Sequence, residues 1–163
     1  RITFSNRPIS LSFIGSFGFY ERAKPIKAAI KISKQLGLTD YFIIDTKYGR
    51  LDYQSYGNIL RKSKLGLAVR GVGFDTYRYW EIPYFGATLL AKRTPLVIPN
   101  NFVDEESALF FGTEDEFKRK LRKYVMNSEE WKEIARKGHL LFLKYHTPKE
   151  RVRRLILNPI KEL

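Results

Sequence analysis

The sequence predicts an α/β fold: a parallel sheet with helices on both faces and a helical C-terminal tail. Two observations predict it. Short apolar runs of strand length alternate with stretches of helical periodicity through the first two thirds of the chain. The last third then carries one helix start after another. At 163 residues, with 44% hydrophobic and 29% charged side chains, the chain suits one domain over 1–163 with a sizeable core.

The first run, ISLSFIG (Ile9 to Gly15), sets Ile9, Leu11 and Phe13 at period two, as a strand does. YERAKPIKAAIKISKQLG follows with Ile26, Ile30, Ser33 and Leu36 at helical spacing, and Gly37 is placed to cap its end. YFIID (Tyr41 to Asp45) reads as a buried strand. YQSYGNILRKSK gives a helix with Tyr56, Ile59 and Leu60 on one face, and LGLAV (Leu65 to Val69) gives the next strand. A loop, Arg70–Asp75, leads into a helix from about Thr76, which Pro83 should kink or shorten. TLLA, LVI and ALFF (Ala108 to Phe111) read as short strands.

Three capping boxes mark the tail. Thr113 stands three before Glu116, Asn127 three before Glu130, and Thr147 three before Glu150. Pro148 takes a first helical position, where its missing N–H costs nothing. Phe117, Leu121 and Tyr124 make one apolar face; Trp131, Ile134, Gly138, Leu141 and Tyr145 make another. This tail should pack back on the sheet.

The chain has no Cys, which excludes disulfides, thiolate catalysis and Cys-based metal sites. His139 and His146 are too few for a His-rich metal site, and neither has an acid or nucleophile at motif spacing. No stretch approaches the ~18 apolar residues of a membrane span, and no signal peptide opens the chain. It begins at Arg1 rather than Met, so a fragment of a longer protein is expected. A net charge of +13 calls for an anionic partner: nucleic acid, a membrane surface or a phosphorylated small molecule. The basic runs KRKLRK, KPIKAAIKISK and RVRRL are also what solvated helix faces look like, and no nucleic-acid-binding module signature occurs.

In a sheet of this kind, ligands bind where strands end and loops lead into helices. LAVRGVGFDTYRYWEIP (Leu67 to Pro83) has that context. Gly71 and Gly73 would let backbone approach a ligand without a Cβ in the way. The helix start suits phosphate, and Arg70 and Arg78 can add charge-assisted contacts. Arg78 and Glu81, three apart, share a helix face. A carboxylate beside a phosphate is repelled unless it has another task, and accepting hydrogen bonds from ribose hydroxyls is such a task. Phosphate plus ribose means a nucleotide. The same spacing also describes an ordinary surface pair, and the glycines also fit a simple turn.

The dinucleotide fingerprint fails, because Thr76 stands at its third glycine and no acid follows about twenty residues on. A Walker-type loop and an Asp-x-Asp pair are absent. A second turn, FIGSFGFYER, sets Gly15, Ser16 and Gly18 before a helix carrying Arg22, at the same sheet edge. Two such turns, each with a nearby arginine, point to an anion cleft.

YRYWEIPYFGATLLAKRTP resembles the R-x-x-E-x-x-x-x-G-x-x-L-L segment of GT-B glycosyltransferases, in particular the spore-maturation-type branch of the group-1 superfamily. SLSFIGSFGFYERAKPI is similar to the opening strand, loop and helix of their C-terminal domain. YGNILRKSKLGLAVRG is similar to the helix and strand before the motif, and to exostosin-like transferases. The stretch from Gly112 to Ile156 resembles their helical tail, so the resemblance covers nearly the whole chain.

The resemblance implies a Rossmann-like domain, the C-terminal half of a GT-B enzyme, that binds a nucleoside-diphosphate sugar without an obligatory metal or other cofactor. Glu81 corresponds to the glutamate that holds the donor ribose. Arg78 lies near the diphosphate as the catalytic cation, with Tyr77 beside it. Gly15 and Ser16 lie in the cleft loop, and Arg22, Arg70, Gly71 and Gly73 complete the donor-binding set. Gly73 departs from the related E-x7-E pattern, which has a glutamate eight positions before Glu81. The acceptor domain of such an enzyme is absent from this chain. The acceptor would be a glycan, protein or lipid-linked molecule, and the setting cytoplasmic with peripheral membrane contact. Nucleic acid is not expected as a partner, although a non-catalytic domain binding nucleic acid or an anionic surface is the competing expectation from charge alone.

Overall fold

The first apolar run forms strand β1 (Ile9–Ile14), with Leu11 and Phe13 on one face and Ser10 and Ser12 on the other. These coordinates come from a computed structural model, which describes residues 2–17, 20–45, 51–71, 73–126 and 129–154. Helix α1 (Tyr20–Gln35) lays Ile26, Ala29 and Ile32 against the face of Leu11 and Phe13. It ends as predicted, at Gly37 with φ of 68°. The Leu38 N–H donates to the Ser33 carbonyl and the Gly37 N–H to the Lys34 carbonyl, both at 3.0 Å, the two bonds of a Schellman cap.

Strand β2 (Tyr41–Ile44) lies beside β1. Helix α2 (Tyr53–Lys62) opens on Asp52, whose carboxylate accepts the Ser55 N–H at 2.9 Å. It runs directly into strand β3 (Ser63–Ala68), so the predicted helix is two residues too long and the strand begins two residues earlier than its apolar run. Buried hydrogen bonds make the junction. The Ser63 hydroxyl donates to the Ile59 carbonyl at 2.7 Å. Buried Arg7 donates to the carbonyls of Leu60 and Ser63 at 3.1 and 2.8 Å. Burial lowers the Arg7 pKa to about 10.

Helix α3 (Tyr77–Tyr84) is shortened rather than kinked: Pro83 sits in its last turn, and Gly86, at φ of 75°, carries the chain away. Strand β4 (Thr88–Lys92) follows. The run Leu96 to Ile98 is not a strand, contrary to expectation. Prolines at 95 and 99 bracket it, the Leu96 N–H turns back to the Thr94 hydroxyl at 3.2 Å, and Val97 is 95% exposed. Strand β5 (Leu109–Phe111) completes the sheet, and helix α4 (Glu114–Leu121) continues into a π-helical turn at Arg122–Met126. Helices α5 (Glu130–Tyr145) and α6 (Pro148–Val152) form the tail.

The five strands are all parallel, in the order β2-β1-β3-β4-β5. Alternation along β3 and β4 divides the core in two. Leu65, Leu67 and Leu90 face α1 and α4, whereas Ala68, Leu89 and Ala91 face α2 and α3. This is a Rossmann-like α/β fold with a helical C-terminal segment. The strand order reverses between β1 and β3, which opens a crevice outside their carboxyl ends.

The tail packs back on the sheet, against β3, β4 and α3. Trp131, Ile134 and Ala135 of α5 enter one core and Phe142 the other, while Tyr145 remains half-buried. At Gly138 the helix comes so close to the body that a Cβ would lie 2.4 Å from the Ser107 carbonyl oxygen. Of the three predicted capping boxes, two show the N-cap bond, and at the second, opened by Thr147, the Glu150 carboxylate accepts from Arg153 instead of returning a bond. The Thr113 and Thr147 hydroxyls accept the N–H of Glu116 and of Glu150, each at 3.2 Å. The Glu116 carboxylate accepts the Gly112 N–H at 2.6 Å, one residue before the cap. The third box rests on Asn127, outside the described residues. Both histidines serve the scaffold: His139 Nδ1 lies 2.9 Å from the Pro83 carbonyl and His146 Nε2 2.9 Å from that of Asn100. Among the described residues no helix is long and apolar enough to cross a membrane.

Candidate functional site

The crevice between β1 and β3 is built by two arginines that join the strand ends. Arg22, on α1, is 7% exposed. Its Nη1 donates to the Ser16 carbonyl at 2.8 Å and its Nε to the Arg70 carbonyl at 3.1 Å, tying the loop after β1 to the loop after β3. Burial lowers its pKa, and the nearby Arg78 charge lowers it further.

Gly71 is the counterpart of this contact. A Cβ there would lie 2.2 Å from Arg22 Nη2, so the glycine makes room for the arginine. Its N–H donates to the Gly73 carbonyl at 3.1 Å. Gly73 itself is exposed, and a Cβ there would meet nothing nearer than 3.9 Å. Gly18 of the first turn lies outside the described residues.

Arg78, at the start of α3, crosses to the end of β1. Its Nη1 donates to the Ile14 carbonyl at 3.2 Å, and its guanidinium lies 5.1 Å from the centre of the Phe13 ring. A Cβ at Gly15 would stand 2.7 Å from that Nη1, which explains this glycine. The Arg78 Nε is buried, with no hydrogen-bond partner among the described residues. Burial lowers the Arg78 pKa, while Tyr56 and Glu81 act in the opposite direction.

Glu81, one turn further along α3, accepts a hydrogen bond from the Tyr56 hydroxyl to Oε2 at 2.7 Å. Burial, and then the Glu81 charge, push the Tyr56 hydroxyl well above the usual tyrosine range, so it stays a donor. Gly15, Ser16, Tyr56, Tyr77, Arg78 and Glu81 line a single open cleft of about 340 Å³, with Leu51 and Tyr53 at its side. Thr76, which precedes α3, makes no side-chain cap, so it does not compete for the first N–H groups of the helix.

A second pocket, of about 310 Å³, lies beside the first, outside β3 and β4. Arg70 faces this pocket with Phe74 and Thr76, and its guanidinium is 4.2 Å from the centre of the Phe74 ring. Lys24, Lys92 and Arg93 line it as well.

The residues named from sequence therefore divide. Gly15, Ser16, Tyr77, Arg78 and Glu81 share the first cleft, and Arg70 belongs to the second pocket. Arg22 and Gly71 hold the two loops together, and Gly73 stands apart. Tyr56 went unrecognised because it was assigned to the apolar face of α2 with Ile59 and Leu60. Its one signal was the polar end of a largely apolar side chain, which needs a partner when buried. Lys92 and Arg93 were equally legible, as cations at the carboxyl end of an apolar strand run.

The arrangement sets a carboxylate acceptor, a partly desolvated cation and a helix start along one cleft. A family profile described as glycosyl transferase-like matches residues 29–156, more than three quarters of the chain, and this span includes Arg70, Gly71, Gly73, Tyr77, Arg78 and Glu81. No curated protein matches.

Proposed function

Because this chain belongs to the glycosyl transferase-like family, we propose that it is the donor-binding half of a GT-B glycosyltransferase of the spore-maturation-type branch. It binds a nucleoside-diphosphate sugar in the cleft between α2 and α3, and an acceptor domain outside this chain completes catalysis. One observation carries the reading. Glu81 is held by Tyr56 at 2.7 Å in the same cleft as Arg78 and the start of α3, outside the strand pair where the sheet order reverses. A carboxylate has capacity for about four acceptor bonds and Tyr56 takes one, which leaves room for the paired hydroxyls of a ribose.

In this reading the diphosphate lies over the start of α3, where backbone N–H groups and the positive end of the helix favour negative charge. As the sugar leaves, charge grows on the diphosphate, and a donor aimed there stabilises the transition state more than the ground state. Arg78 supplies it. The Ile14 carbonyl and the Phe13 ring hold its guanidinium, so little reorganisation is needed at the moment of transfer. Arg78 and the helix start thereby serve in place of a metal.

Calorimetric titration with UDP, GDP, ADP and dTDP tests the reading, with Glu81→Ala as control. Saturable binding of one diphosphate, reduced at least tenfold in Glu81→Ala, is the expected outcome. Equal affinity in the native and variant chains would remove the ribose assignment.

A further inference from the structure

We propose, resting on the donor-binding reading above, that the pocket outside β3 and β4 receives the glycosyl unit of the donor, and that it selects a sugar carrying a carboxylate, of the uronic-acid type. The order of groups along α3 argues for the location. Glu81 lies one turn inside the helix, Arg78 and Tyr77 at its start, and Thr76 just before it. A rise of about 1.5 Å per residue separates Glu81 from Thr76 by roughly 7.5 Å, comparable to the reach of a diphosphate. A donor with its ribose on Glu81 and its diphosphate over the helix start carries its sugar past Thr76. Thr76 is a wall of this pocket, and about 310 Å³ is ample for one sugar ring.

The lining argues for the charge. The floor is apolar, from Ala68, Val69, Tyr79 and Ala91. Among the described residues the charged side chains at the pocket are Lys24, Arg70, Lys92 and Arg93, joined by the hydroxyls of Thr76 and Thr94, and no carboxylate lines it. Arg93 is already engaged, with Glu116 at 2.6 Å and Asp104 at 3.3 Å. Among the described side chains neither Lys24 nor Lys92 makes an ion pair. Glu114 joins these two lysines only in the adjoining recess outside β4 and β5. The hydroxyls of a neutral sugar bring protons to place as well as lone pairs, and ammonium and guanidinium groups offer donors only. A carboxylate brings two acceptor oxygens and the opposite charge. It satisfies the ammonium donors of Lys24 and Lys92 and offsets the positive charge of the lining.

The test extends the titration above, at constant ionic strength. The nucleoside diphosphate that binds best is compared with its glucose and glucuronate esters, on the native chain and on Lys24→Gln, Lys92→Gln and Lys31→Gln. The glucuronate ester should bind about tenfold more tightly than the glucose ester. That preference should fall in Lys24→Gln and in Lys92→Gln, with affinity for the free diphosphate unchanged. Lys31→Gln, an exposed lysine of α1 away from the pocket, should keep the preference. Equal affinity of the two esters overturns the proposal. So does a parallel loss of free-diphosphate affinity in the lysine variants, since the lysines would then hold phosphate. Failure of every diphosphate to saturate the chain overturns the donor reading and this inference with it.

Discussion

Tyr56 is the residue on which the cleft turns. Its hydroxyl fixes one oxygen of Glu81, and its ring packs edge-on against Phe85 with centroids 6.2 Å apart, so the carboxylate is held from a rigid neighbour. Removing only the hydroxyl should loosen Glu81 without disturbing the core. Tyr56→Phe should weaken diphosphate binding about fivefold, the scale of one net hydrogen bond, and less than Glu81→Ala does. The discriminating measurement compares a ribonucleoside diphosphate with its 2′-deoxy form. A merely structural Tyr56 would lower affinity for both alike, whereas a Tyr56 that orients Glu81 for the ribose should penalise the ribo form more. The glycines at this scale act through their neighbours. Gly15 and Gly71 leave space for Arg78 and Arg22, and neither has a positive φ, so the constraint on them is steric contact and not backbone conformation.

Among the elements, α5 is the one whose position depends on a single backbone approach. Gly138 lets the helix lie against Ser107, in the loop before β5, while Trp131 and Phe142 enter the two cores on either side. The atom that a new Cβ would strike is a backbone oxygen, which cannot swing aside as a side chain can. Gly138→Ala should therefore cost about 1–3 kcal/mol as overpacking, despite the better helix propensity of alanine. For a chain of this size each kcal/mol lowers Tm by about 2–4 °C, so a thermal melt reads the outcome directly. An unchanged or raised Tm would show that α5 can slide away from Ser107. Helix α3 obeys the same logic, because Gly66 on β3 accommodates Ile82: a Cβ there would lie 2.8 Å from two carbons of that side chain. This contact seats the helix that carries Arg78 and Glu81.

The whole molecule carries thirteen positive charges in excess, so its carboxylates matter more than their number suggests. Hydrogen bonds from Arg93 and the Gly112 N–H lower the Glu116 pKa to about 2. The Tyr124 hydroxyl, with Lys120 and Lys123, lowers that of Glu105. A carboxyl whose folded pKa is depressed contributes stability that is fully present above its unfolded value and lost as pH falls through the folded one. Stability should therefore decline from about pH 4.5 towards pH 2, as these groups protonate and the net positive charge climbs. Denaturant melts across that range should show the decline, and Glu116→Gln should flatten it. A profile identical in the variant would mean that Glu116 is not held by Arg93 in solution. Fully buried Lys120 adds to the same network, since its ammonium contacts Asp104 and Glu105 and closes the loop before β5 onto α4.

Local signals were enough for much of this. Short apolar runs marked β1, β2 and β5, Gly37 ended α1, and Thr113 and Thr147 opened α4 and α6, because these features depend on neighbours within a few residues. Glu81 and Arg78 were legible for the same reason: one helical turn is enough to set both on one face. The run Leu96 to Ile98 has the composition of a strand, but Pro95 and Pro99 bracket it and the Leu96 N–H turns back to Thr94, so it makes no ladder bonds. The other failures lie where distant chain decided. Nothing near Gly71 in sequence shows that Arg22, some fifty residues earlier, lies against it. Tyr56 and Glu81 are 25 residues apart, and the order β2-β1-β3 is what sets α2 beside α3 and brings the hydroxyl to the carboxylate. Sequence by itself determined the elements and the chemistry available at one sheet edge. Tertiary structure alone decided which of those groups meet, because strand order and helix packing, not local propensity, bring residues far apart in the chain within hydrogen-bond reach.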